Sequence, residues 1–145
     1  MLDYEYNNYE YFKWIEQVIR HAKHQYGAEI DMYAEEDAFV YEYKRNKIQV
    51  KGATPPRDKL YILLHELGHL ARLSENSSDN TYFMDRSGAK SERQKMMTLI
   101  EEVLAWHKAD EIARMLQVPI EKRAWQRLIN KSIEQYADWA CNKEI

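Results

Sequence analysis

Residues 59–73 read KLYILLHELGHLARL, from Lys59 to Leu73, and their phase decides how the rest of the chain must fold around them. Leu60, Leu63, Leu64, Leu67 and Leu70 recur at the spacing of a buried helix face. On that helix His65 and His69 stand one turn apart on one side, so both imidazoles can address a single ion. Glu66 is offset by roughly 100° from His65 and about 60° from His69. It borders the histidine face, where a general base acting on an ion-activated water belongs. The bland alternative is a pair of inert, hydrogen-bonded histidines. The apolar flanks favour the metal-binding reading of His-Glu-x-x-His, with zinc as the ion.

The edges of this helix are legible too. Pro56 suits a first helical position, and Asp58 complements the helix dipole, so the helix is expected from Pro56 to Ser74. Gly68 costs about 1 kcal/mol of helix propensity relative to alanine. A glycine there suggests that another backbone or side chain comes close.

Upstream, Tyr11, Ile15, Val18, Ile19, Ala22 and Tyr26 predict an amphipathic helix over Tyr9–Tyr26, with Gly27 as its stop. Three short strands are expected at Glu29–Tyr33, Ala38–Tyr43 and Lys47–Lys51. The last two form a hairpin around Lys44-Arg45-Asn46, and Pro55-Pro56 ends the sheet. Downstream, Ser74–Ser91 is polar with a Tyr82-Phe83-Met84 island, and reads as a lid or as a plain connector. Two helices follow, from Glu92 to Gln117 and from Ile120 to Ala140, separated at Val118-Pro119. The expectation is one compact α+β domain over residues 1–145. It holds an N-terminal helix, a mainly antiparallel three-stranded sheet, the histidine helix and two further helices.

Composition narrows the function classes. A formal charge of −3 argues against a general nucleic-acid binder, and the basic residues of the last helix are interleaved with acids. No apolar run approaches the ~20 residues that span a bilayer. Neither the acidic, aromatic start of the chain nor its single cysteine, Cys141, asks for secretion, so a cytoplasmic location is expected. Cys141 reads as a small packed residue.

A catalytic zinc site usually has three protein ligands. Arg72 and Glu75 stand where a longer histidine motif would place glycine and histidine, so the third ligand must come from elsewhere. The histidine candidates are His21, His24 and His107; the acids on structured helices include Glu92, Glu101, Glu102, Asp110 and Glu111. Ala105, Ala109 and Ala113 form a small-residue stripe that lets two helices approach closely. Glu102 lies one turn before that stripe, whereas Glu101 is displaced by about 100°. Glu102 is therefore favoured, with Glu101 and His107 as alternatives.

His65-Glu66-Leu67-Gly68-His69 followed by Glu102-Val103-Leu104-Ala105 resembles the gluzincin zinc metallopeptidases. The closer likeness is to minigluzincins and ImmA/IrrE-type peptidases, over roughly Ile48–Pro119. Trp106 departs from the asparagine common at that place in the ImmA/IrrE type. The resemblance implies a small zincin-like domain and one catalytic Zn²⁺ held by His65, His69 and Glu102. It implies a metallopeptidase in which Glu66 activates the attacking water. Tyr82 and His107 are candidate oxyanion donors. The expected partner is a peptide or protein substrate, added as an extended strand to the sheet edge at Lys47–Lys51. Two other readings share these residues: a non-catalytic zinc-binding regulatory protein, and a SprT-like protease with His107 as third ligand.

Overall fold

The computed structural model describes residues 6–42, 45–75 and 91–141. Those residues form an α+β arrangement of four helices and one three-stranded mixed sheet. The first helix, α1 (Asn8–Tyr26), begins on a reciprocal cap. The Glu10 amide donates to Asn7 Oδ1 at 2.9 Å, and the Asn7 amide donates to the Glu10 carboxylate at 3.4 Å. The helix buries Tyr11, Ile15, Val18 and Ala22, and stops at Gly27, whose φ of 62° costs glycine little.

The strands are β1 (Glu29–Ala34), β2 (Ala38–Glu42) and β3 (Arg45–Lys51). Their order is β1-β3-β2, with β1 parallel and β2 antiparallel to β3. This corrects two expectations: the sheet is mixed, and Lys47–Lys51 is the central strand rather than an edge. Burial explains the choice. Ile48 and Val50 of β3 are fully buried, while β1 holds no buried side chain, so β3 takes the centre. The chain passes from β1 to β2 around the end of β3, where Asp37 Oδ1 accepts the Lys51 amide at 2.7 Å. β3 also starts two residues earlier than expected. Arg45 and Asn46 already pair with Glu42 and Tyr41, so they are strand and not turn. Their polarity hid this.

Helix α2 (Pro56–Glu75) is the centre of the molecule and packs against α1, β3 and α3 (Glu92–Met115). Eleven of its residues are buried, including His65, Glu66 and Gly68. Even Lys59 lies inside, donating to the Met32 carbonyl at 2.8 Å with its ammonium 4.3 Å from the Tyr33 ring centre. α3 opens with Ser91 and Gln94 capping each other. It closes two residues before the expected Gln117. Gln117 turns left-handed at φ 57°, and the Val118 amide reaches back to the Ala113 carbonyl at 2.8 Å.

Helix α4 (Lys122–Ala140) starts later than the expected Ile120, because Glu121 occupies the cap position. Its amide donates to Tyr61 Oη at 2.8 Å and its carboxylate takes Arg57 at 3.0 Å. Only Ala124 and Trp125 of α4 are buried, so the helix leaves the core early, and Cys141 beyond it is exposed rather than packed. Among the described residues no helix is long and apolar enough to cross a membrane.

Candidate metal centre

The site lies where α2 crosses α3. Gly68 faces the backbone of α3, and Ala105 and Ala109 present nothing larger than a methyl group there. The axes therefore approach closely, and Glu102 projects at the two histidines. Glu102 Oε1 is 2.8 Å from His65 Nε2, and Glu102 Oε2 is 3.1 Å from His69 Nε2. One ligand atom from each of the three residues lies within 4.8 Å of the others. Zinc with bonds of about 2.0–2.1 Å in a tetrahedral arrangement needs donors roughly 3.3 Å apart. Two imidazole nitrogens and a carboxylate at these spacings fit such an ion.

The donors are supported from behind, but unequally. His69 Nδ1 is 3.0 Å from Glu101 Oε2, whose other oxygen accepts from Arg72 Nε at 2.7 Å. The His65 ring stacks on Trp106, with centroids 4.1 Å apart and planes 18° from parallel. Trp125 braces Trp106 edge-on at 5.1 Å. Neither His65 Nδ1 nor Trp106 Nε1 has a hydrogen-bond partner among the described residues. From α4, the Ser132 hydroxyl donates to Glu102 Oε1.

These groups carry strongly altered proton affinities in the metal-free protein. Burial alone would lower the His69 pKa, but hydrogen bonds to Glu101 and Glu102 outweigh it and hold the imidazole at about 10. Burial would raise Glu102, yet His65 and His69 pull it far below the usual carboxylate range. Glu66 is raised, chiefly by burial, with the two histidines opposing and Glu102 and Asp37 adding. A buried carboxylate pushed upward in this way is a stronger base than one in water.

The structure thus brings together four of the sequence-predicted residues: His65, Glu66, His69 and Glu102. It does not bring His107. Five residues past Glu102, His107 lies about 140° further round the helix. It is exposed and lines a groove of about 780 Å³ between α3 and α4 with Asp110 and Arg114. Among the described residues His107 is not one of the three whose ligand atoms converge. His21 lies beside Tyr26 on α1, and His24 is exposed. Tyr82 and the 76–90 stretch between α2 and α3 lie outside the described residues.

Three participants escaped sequence reasoning. Arg72 had one available signal: it sits one turn beyond His69, close enough to share a partner. Trp106 was visible only as a departure from a family pattern. Ser132 left no signal at all, since its role depends on how α4 docks. No protein-family model, curated protein or solved structure matches this chain.

Proposed function

We propose that this chain is a zinc-dependent peptidase of the gluzincin type with a small zincin-like fold. The observation that carries the reading is the convergence of His65, His69 and Glu102 beside the buried Glu66. Zinc held by those three residues would polarise a water and the scissile carbonyl. Glu66 accepts a proton from the attacking water and returns it to the departing amine. Burial of its carboxyl supports that role, because it raises the proton affinity of the base. Glu102, as a carboxylate, offsets part of the ion's charge and is kept in place by Ser132.

The sheet supports one mode of substrate binding. β3 is paired on both sides and has no edge to offer. Among the described residues β2 pairs with β3 alone and packs against α2, and Asp37 at its entrance is near enough to act on Glu66. An extended peptide therefore adds along β2, with its backbone supplying the missing ladder bonds.

Digestion of a broad peptide library by zinc-loaded protein tests this function. Cleavage that stops with a chelator, returns with zinc and is missing from Glu66→Gln is the expected result. A zinc-loaded sample that cuts nothing points instead to a zinc-binding regulatory protein.

A further inference from the structure

The two histidines of the centre are held in different ways, and the difference assigns a role to Glu101. Glu101 as a whole is only 4% exposed, so this carboxylate resides in the interior and needs partners there. Among the described residues it has two, both from α2. Oε2 faces His69 Nδ1 at 3.0 Å and Oε1 accepts from Arg72 Nε at 2.7 Å. The chain of contacts leaves α2 at His69, crosses to α3 at Glu101 and returns to α2 one turn later at Arg72. Both oxygens are occupied on the Nδ1 side of the imidazole. Glu102 meets the opposite nitrogen, Nε2, at 3.1 Å. The adjacent acids Glu101 and Glu102 therefore clasp one ring from its two ends.

We infer that Glu101, balanced by Arg72, is the positioning residue of the metal centre. This rests on the zinc reading above. Glu101 accepts the Nδ1 proton of His69, which leaves the Nε2 lone pair directed at the ion. It also fixes the ring plane and makes the imidazole a better donor. Arg72 supplies the positive charge that makes a buried carboxylate tolerable there. His65 has no counterpart: its Nδ1 is without a partner among the described residues, and its orientation depends on the stack with Trp106. The centre is thus lopsided, with polar support on His69 and aromatic support on His65.

The experiment measures zinc affinity, by competition with a chromophoric chelator, and the visible spectrum of the cobalt-substituted protein. Wild type, Glu101→Ala, Glu101→Gln and Glu102→Ala are compared. Glu101→Ala is expected to bind zinc about 10–100-fold more weakly with the cobalt coordination number unchanged. Glu101→Gln is isosteric and its carbonyl still accepts from Nδ1, so it loses less. It carries the test should the alanine variant not fold. Glu102→Ala loses more affinity and changes the cobalt spectrum. In zinc-loaded wild type, proton NMR is expected to show a downfield His69 Nδ1–H signal that Glu101→Ala removes. Wild-type affinity in both Glu101 variants overturns the inference while leaving the zinc site standing. A cobalt spectrum in Glu101→Ala that reports a lost ligand overturns it too, by making Glu101 a ligand. A wild-type protein that takes up no zinc overturns the metal site and this inference together.

Discussion

Gly68 on α2 stands directly against Ala105 on α3. A Cβ built on Gly68 would run into the Ala105 carbonyl oxygen, and would lie 3.2 Å from both the Ala105 carbonyl carbon and the Ala109 amide nitrogen. All three obstacles are backbone, which cannot rotate out of the way. Gly68→Ala should therefore destabilise the protein by about 1–3 kcal/mol, the usual cost of overpacking, despite alanine's better helix propensity. It should also weaken zinc binding by moving Glu102 off the histidines. Thermal melts and a zinc titration check both. An alanine variant as stable as wild type would mean the helices have room to spare.

On the proposed reading Glu66 separates binding from chemistry. It flanks the donors but is not one of them. Glu66→Gln removes the base and keeps the shape, so zinc content should stay at the wild-type level while hydrolysis falls by about 10²–10⁴-fold. Substantial activity in a variant with verified metal content would remove Glu66 from the proton-transfer step.

The metal-free protein should be most stable in mildly acidic solution. His69 has a folded pKa of about 10 against an ordinary 6.5, so its stabilisation is complete below 6.5 and is lost as pH rises toward 10. Glu66, also raised, loses stability in the same direction, starting above its ordinary 4.5. Glu102 is depressed, so its contribution is present above 4.5 and is lost as the solution becomes more acidic. Chemical denaturation in chelator should show a maximum between about pH 4.5 and 6.5 and a decline toward pH 10. A stability that climbs from pH 6.5 to 9 would contradict the pairing of His69 with Glu101 and Glu102.

Gln117 is the one described non-glycine residue with positive φ, at 57°. A side chain in that region costs about 1 kcal/mol that glycine avoids, partly offset by glycine's greater freedom in the unfolded chain. Gln117→Gly should raise stability by about 0.5 kcal/mol without touching the metal centre. Denaturant midpoints measure it, and a loss of stability would show that the glutamine side chain contributes more than its backbone costs.

Much of this arrangement was legible in the sequence, and the failures share a cause. Apolar spacing located α1 and α2, because their core faces repeat within a short window. The alanine stripe pointed to Glu102 because small residues report where another helix passes. Sheet order was not legible. Which strand takes the centre depends on the relative burial of Ile48, Val50 and their neighbours, and only packing against α2 decides that. Glu101 read as a weaker ligand candidate because helix phase measures angle alone. Residues 100° apart can both reach one imidazole when it offers a nitrogen on each side. His107 looked eligible as a residue type, but its phase carries it onto the groove between α3 and α4. Ser132 reaches Glu102 from a helix whose docking no local pattern encodes.

On the proposed reading His65, His69 and Glu102 together hold one zinc ion. The most direct measurement is the zinc content of purified wild type, Glu102→Ala and His107→Ala after dialysis against a weak chelator. One zinc per chain in wild type and His107→Ala, with none retained by Glu102→Ala, is the expected result. Zinc held at full stoichiometry by Glu102→Ala, or lost from His107→Ala, would contradict it.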